Sequence, residues 1–265
     1  AGNLTMAIDC IEILGCSLLD EHRSLVEELR QLASSLRLEF GWHYLLDLTW
    51  IISQLTEIDG QRMMDAGAGM GVMQWYLAAH GATVISVDRQ NRLELPRRFR
   101  ERYQVDGLRP EDAPKDGPSG ASVRNIKGSI RDLLDGNLDR TAQKNKVAGQ
   151  VFFYNQDLKQ LTDLADDSLD AVVSVSSLEH NSPEDLTIVV NELMRVLKPG
   201  KPLLATLGAA RDADWFHLPS KGWCYTEATL RSCFDLPISA RSNYSQYEKL
   251  FKSLRDCNEL KANLA

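Results

Sequence analysis

An aspartate standing two residues ahead of three alternate glycines, Asp65-Ala66-Gly67-Ala68-Gly69-Met70-Gly71, is the strongest chemical signal in the chain. Glycines at a strand-to-helix turn let a ligand approach the backbone closely, and the helix start adds free N–H groups and positive dipole. The spacing is G-x-G-x-G. Dinucleotide binders use G-x-G-x-x-G, which would want glycine or alanine where Val72 stands. A carboxylate just before the first glycine suits a ligand carrying an ammonium group, directly or through water, better than a pyrophosphate. A tight turn that only needs positive φ is the plainer alternative.

Two further acids follow at strand ends. Asp88 lies 21 residues after Gly67, where a carboxylate can accept two hydrogen bonds from ribose hydroxyls. Asp157 follows the third strand and could meet an adenine amino group, with the Leu158 backbone nearby. For both, capping the next turn is the alternative. His180 sits just past the fourth strand and is the obvious base for a hydroxyl nucleophile, the alternative being a histidine that orders the loop before Ser182. Trp42, His43 and Tyr44 lie upstream of the glycine turn, Trp42 as packing. Trp215, His217, Trp223 and Tyr225 could line an acceptor pocket or simply pack. Between Arg89 and Arg102 six arginines fall within fourteen residues. They read either as a solvated helix face or as forks for a phosphate or carboxylate.

The elements needed to position these residues are legible in the hydrophobic pattern. Leu18 to Phe40 shows helical spacing and Trp42 to Leu55 a more apolar helix. Arg62–Ala66, Thr83–Val87, Val151–Tyr154, Ala171–Val175 and Pro202–Leu207 read as short buried strands. Val72–His80 reads as a helix ended by Gly81. A second helix has Ser182 as N-cap and Pro183 at its first position, and Lys198-Pro199-Gly200 ends it. Helix Thr226–Phe234, a weak strand near Ile238–Arg241 and a last helix from about Ser245 follow, with no convincing seventh strand. The alternation predicts an α/β fold: a doubly wound, mostly parallel, Rossmann-like sheet. Residues 1–58 form an N-terminal helical extension or lid and 59–265 the Rossmann-like domain. An insertion of about 105–148 follows strand 2, since connections there are normally far shorter.

Composition bounds the function. The 265 residues carry a net charge of −7 and are 43% hydrophobic and 25% charged, which disfavours general nucleic-acid or anionic-membrane partners. The five cysteines are dispersed, without a C-x-x-C pair or a metal-spaced histidine, and read as reduced thiols of a cytoplasmic protein. No metal cage, signal peptide or membrane span is apparent.

Taken in order, Asp65–Gly71, Asp88, Asp157, Ser174-Val175-Ser176-Ser177-Leu178-Glu179-His180 and Leu197-Lys198-Pro199-Gly200 resemble the successive motifs of class I S-adenosylmethionine-dependent methyltransferases. The resemblance covers roughly residues 60–208. It implies a seven-stranded sheet of order 3-2-1-4-5-7-6. It also implies S-adenosyl-L-methionine as cofactor (product S-adenosyl-L-homocysteine), with the glycines at its methionine part, Asp88 at its ribose and Asp157 at its adenine. The implied cofactor set is Tyr44, Asp65, Ala66, Gly67, Gly69, Gly71, Asp88, Arg89, Gln156, Asp157, Leu158 and Ser174, with His180 catalytic and no metal. The acceptor expected is a small molecule, with an anionic one in view, methylated at O or N by a monomer or homodimer. No Asn/Asp-Pro-Pro-aromatic motif follows the fourth strand, which disfavours nucleic-acid bases. A nicotinamide-dependent oxidoreductase and a non-catalytic methyltransferase-like binding protein are the competing readings.

Overall fold

The computed structural model describes residues 9–92, 94–109, 112 and 147–262. Most of the proposed 105–148 insertion, with its helical-looking Ile126–Leu138, lies outside the described residues.

The chain begins with β1 (Cys10–Ile11), α1 (Ser17–Glu21), α2 (Arg23–Leu36) and α3 (Tyr44–Gln54). Then come β2 (Arg62–Ala66), α4 (Met73–Ala79), β3 (Thr83–Asp88), α5 (Arg97–Arg102), β4 (Gln104–Asp106), β5 (Gln150–Asn155) and β6 (Ala171–Val175). The remainder is α6 (Pro183–Val196), β7 (Leu203–Thr206), β8 (Gly208–Ala209), β9 (Trp215–His217), β10 (Gly222–Tyr225), α7 (Glu227–Cys233), β11 (Arg241–Ser242), α8 (Tyr247–Asp256) and α9 (Asn258–Lys261). The expected Leu18–Phe40 helix is two helices, because His22 between them leaves helical geometry (φ −117°, ψ 37°).

Six strands form one sheet in the order β4-β5-β3-β2-β6-β7, and every pairing in it is parallel. Strand alternation feeds two cores. Met63, Val84, Val151, Phe153 and Val173 face the layer of α2, α3 and α4, while Met64, Ile85, Phe152, Tyr154 and Val172 face α6. The N-terminal helices share the first core: Val26, Leu29, Leu45 and Ile51 pack with Trp75 and Phe99.

Five adjacent strands, β5-β3-β2-β6-β7, reproduce the 3-2-1-4-5 part of the expected order. The rest of that order is not found among the described residues. After β7 the chain leaves the sheet and builds a separate three-stranded one, β8-β10-β9. Of the weak strand expected near Ile238–Arg241 only Arg241 lies in a strand, β11, which pairs with β1 rather than with the main sheet. At the opposite edge β4 extends the sheet beyond β5 from within the stretch read as insertion. Among the described residues, no helix is long and apolar enough to cross a membrane.

Candidate active site

Parallel strands put their carboxyl ends on one side of the sheet, and the turns leaving them define a cleft there. The cleft has a volume of about 660 Å³. Its floor is the turn after β2, one wall the β3 end with Asp88 to Gln90, and the other the β6 end with Ser176, Ser177 and His180. Leu38, Glu39 and Phe40, from the connection between α2 and α3, and Tyr44 and Leu48 of α3 complete it.

Glycine is obligatory at the first turn position. Gly67 has φ +72°, and a Cβ there would lie 1.6 Å from the Ser177 hydroxyl oxygen and 2.5 Å from its Cβ. Gly69 also has positive φ, +48°. Its N–H donates to Asp88 Oδ2 at 2.9 Å, while Asp88 Oδ1 accepts from the Gln90 N–H at 2.8 Å. Asp88 thus ties the glycine turn to its own strand end and keeps lone pairs facing the cleft.

Asp65 is the electrostatic centre of the floor. It is buried, and its Oδ2 has no hydrogen-bond partner among the described residues. Burial pushes its pKa up to about 7, against the pull of Arg92 and of the Gln74 backbone N–H. An orphaned buried carboxylate oxygen beside a cleft is costly unless a cation or donor completes it.

At the opposite wall, Ser176 holds a left-handed backbone (φ +48°), uncommon for a residue with a side chain. Its N–H donates to Thr206 Oγ1 at 3.1 Å and its hydroxyl donates to Asp47 Oδ2 at 2.9 Å. The same Asp47 oxygen takes His43 Nδ1 at 2.6 Å, so α3 is fastened directly to the cleft wall. Burial works against a charged His43, yet the hydrogen bond to Asp47 and the nearby Asp47 and Glu179 charges outweigh it and raise its pKa.

His180 is exposed at the mouth. Its Nδ1 lies 2.9 Å from the Lys221 carbonyl oxygen, which can only accept, so Nδ1 carries the proton and Nε2 of the neutral ring is left as the basic atom. Tyr225 braces the same loop, donating from its hydroxyl to the Asn181 carbonyl at 2.6 Å.

Of the predicted residues, Tyr44, Asp65, Gly67, Gly69, Gly71, Asp88, Arg89, Gln156, Leu158 and His180 converge on the cleft. Ala66, Asp157 and Ser174 are not among its lining residues. Ala66 is fully buried within β2, and Ser174 spends its hydroxyl on the Ala66 carbonyl at 2.9 Å. Asp157 caps its own turn through the Lys159 N–H at 3.0 Å and pairs with Arg89 at 2.9 Å. Partial burial opposes ionisation of Asp157, but the Lys159 N–H and Arg89 together prevail and hold its pKa below the usual carboxylate value.

The aromatic group after β7 does not line the cleft either. Trp215 is about half exposed on β9 and Tyr225 is fully buried. The arginine run is neither of the alternatives as a whole. Arg89 borders the cleft, Arg92 is buried beneath the glycine turn, Arg98 caps the Leu36 carbonyl at the end of α2 (2.6 Å), and Arg102 reaches Ser35 (2.8 Å). Asp47 and Gln74 carried no sequence signal as site residues, because each acts through a contact made only after folding, while Ser176 and Arg92 stood within the fourth-strand motif and the arginine run without being singled out.

The sequence model of a methyltransferase-domain family matches residues 130–205, the stretch containing β5, β6, α6 and most of β7. No curated protein matches the chain. Among solved structures, the chain is similar to the YcgJ protein of Bacillus subtilis, with 17% identity, 78% of this chain and 67% of that one covered, and a TM-score of 0.38. A SAM-dependent methyltransferase of Leishmania major shares 12% identity over 73% of this chain and 61% of that one, with a TM-score of 0.45. The magnesium protoporphyrin IX methyltransferase of Synechocystis, solved with bound SAM, shares 17% identity over 81% of this chain and 70% of that one, with a TM-score of 0.36. The chain spans less than two thirds of the Leishmania protein's length. The family match is confined to residues 130–205, and the strand order β5-β3-β2-β6-β7, with the glycine turn at the end of β2, is the 3-2-1-4-5 arrangement that the motif resemblance implies.

Proposed function

We propose that the chain is an S-adenosylmethionine-dependent methyltransferase acting on a small-molecule acceptor at an oxygen or nitrogen nucleophile. The observation that carries the reading is Asp65, a buried carboxylate at the floor of the cleft with one oxygen that has no hydrogen-bond partner among the described residues. An ammonium-bearing ligand satisfies that oxygen, whereas the pyrophosphate of a dinucleotide would be repelled by it. Gly67, Gly69 and Gly71 would hold the amino-acid end of such a ligand and Asp88 its ribose hydroxyls. Bound there, the cofactor supplies an electrophilic methyl group on a sulfonium, already activated for displacement.

What the protein itself must add is alignment and proton removal. His180 is placed for the proton. With Nδ1 committed to the Lys221 carbonyl, Nε2 takes a proton from an acceptor hydroxyl or ammonium at the mouth. Tyr44, Leu48 and Phe40 shield the cleft from the α3 side. Arg89 at the rim offers a cation to an anionic acceptor, although part of its capacity is spent on Asp157.

Calorimetric titration of the full chain with S-adenosylhomocysteine tests the reading. Micromolar binding that Asp88→Ala weakens supports it. No binding to folded wild type, or tighter binding of NADH than of S-adenosylhomocysteine, overturns it.

A further inference from the structure

Beneath the glycine turn lies a polar cluster that no part of the motif series predicts. Arg92, Gln74 and Ser86 are all buried, the last two completely. Arg92 Nη1 donates to the Gly69 carbonyl at 2.9 Å and to Ser86 Oγ at 2.6 Å, and Nη2 donates to the Ser86 carbonyl at 2.9 Å. The Ser86 hydroxyl donates its own proton to Gln74 Oε1 at 2.7 Å. Gln74 Nε2 then donates to the Gly69 carbonyl at 3.2 Å and the Gly71 carbonyl at 3.1 Å. The guanidinium carbon sits 4.7 Å from the centre of the Phe153 ring, which closes the cluster from the sheet side.

We propose that Arg92 is the positioning residue of the candidate cofactor site, clamping the Gly69 carbonyl from below while its charge balances Asp65 and Asp88 on the ligand side of the turn. Burying a guanidinium is costly without hydrogen bonds and a nearby counter-charge; here Nη1 and Nη2 make three hydrogen bonds and two acids lie near, while Nε has no partner among the described residues. Burial lowers its pKa, and the opposite charges of Asp88 and Asp65 offset only part of that loss. The interaction is mutual: Arg92 is the main force holding Asp65 toward its ionised form, against burial and the like charge of Asp88. Gly69 is therefore gripped on both sides, its N–H by Asp88 and its carbonyl by Arg92 and Gln74. The turn presents its free N–H groups without having to be ordered on binding, the usual gain from preorganisation. The arginine run supplies this residue because β3 ends at Asp88 and the chain folds back under the turn four residues later.

This rests on the proposed cofactor, so the test has one arm that needs no ligand. In unliganded full-length protein, carbon-detected NMR follows the Asp65 carboxyl through its titration, and hydrogen exchange follows the Gly69 to Val72 amides. In parallel, calorimetry measures S-adenosylhomocysteine affinity from about pH 6 to about pH 9. Arg92→Met is expected to raise the Asp65 midpoint by about one pH unit and to deprotect those amides. It should also cost about tenfold in affinity at neutral pH, partly recovered at alkaline pH. Arg92→Lys keeps the charge and loses the fork. It is expected to leave the midpoint in place, to deprotect the amides, and to lose affinity equally at every pH. An unchanged midpoint and unchanged protection in Arg92→Met overturn the proposal, as does a pH-independent loss of affinity in that variant. If Arg92→Met does not fold, wild-type amide protection in Arg92→Lys overturns it. A wild type that binds no S-adenosylhomocysteine, with the Asp65 midpoint still shifted in Arg92→Met, rejects the cofactor while sustaining the role of Arg92.

Discussion

The Gly69 N–H and Asp88 Oδ2 meet at 2.9 Å, across the gap between the turn after β2 and the end of β3. One carboxylate therefore does two jobs: it holds the backbone that must face a ligand, and it offers the remaining lone pairs to that ligand. Such charge-assisted bonds are worth about 1.5–3 kcal/mol each. Asp88→Ala should lower S-adenosylhomocysteine affinity by roughly 10–100-fold, and Asp88→Asn by less, since the amide oxygen still accepts from Gly69. Isothermal titration of both variants checks the order, and equal losses would contradict it.

The pair Gly67 and Ser177 predicts a steric outcome. A Cβ at residue 67 overlaps the Ser177 hydroxyl, and its positive φ adds about 1–2 kcal/mol for a residue with a side chain. Gly67→Ala should lower the melting temperature and abolish cofactor binding. Adding Ser177→Gly removes the overlap but not the backbone strain, so the double variant should recover part of the stability. Thermal denaturation of the four forms of this cycle measures the coupling.

Asp65 predicts an unusual dependence of stability on pH. Its pKa is about 7 in the fold against 3.8 for the free side chain, so the folded state binds the proton more tightly. The stability it contributes is complete below the unfolded value, erodes as pH rises, and is gone above the folded value. The shift sets an upper bound of about 4 kcal/mol for this loss. Asp65→Asn should accordingly be more stable than wild type at pH 8 without ligand, and should not bind S-adenosylhomocysteine. Denaturant melts of both proteins at acidic and alkaline pH test the sign.

His180 should separate binding from turnover. Its imidazole bonds the protein through Nδ1 and the Lys221 carbonyl, at the rim of the cleft. His180→Ala should leave S-adenosylhomocysteine affinity unchanged and slow methyl transfer by roughly 10²–10⁴-fold, the usual share of a general base. Steady-state kinetics with an active acceptor decide it, and full turnover would assign His180 to loop order alone.

Short-range features were legible in the residues themselves. β2 and β6 run as their apolar patterns predict, and α6 starts at Ser182, whose hydroxyl accepts from the Asp185 N–H. Both rest on interactions between near neighbours, where a strand period or a cap leaves a local mark. The glycine turn and Asp88 were legible for the same reason, since the conformation they need is written into a few consecutive positions.

What tertiary structure alone decided is where side chains of one type go. Arg89, Arg92, Arg98 and Arg102 stand within one run, yet they reach a cleft rim, a buried turn and the end of α2. Nothing local distinguishes them, because each partner is brought in by the packing of β3, β5 and α2. Asp47 is the same case: among the apolar residues of α3 it reads as an oddity, and only folding sets it against Ser176, 129 residues away. Asp157 shows the converse. Its motif position was clear, but the fold turns its carboxylate to Arg89 and the Lys159 N–H. A sequence pattern specifies backbone geometry over a few residues, while burial and charge partners depend on contacts between distant segments, and those determine which acid at this site is left to meet a cation.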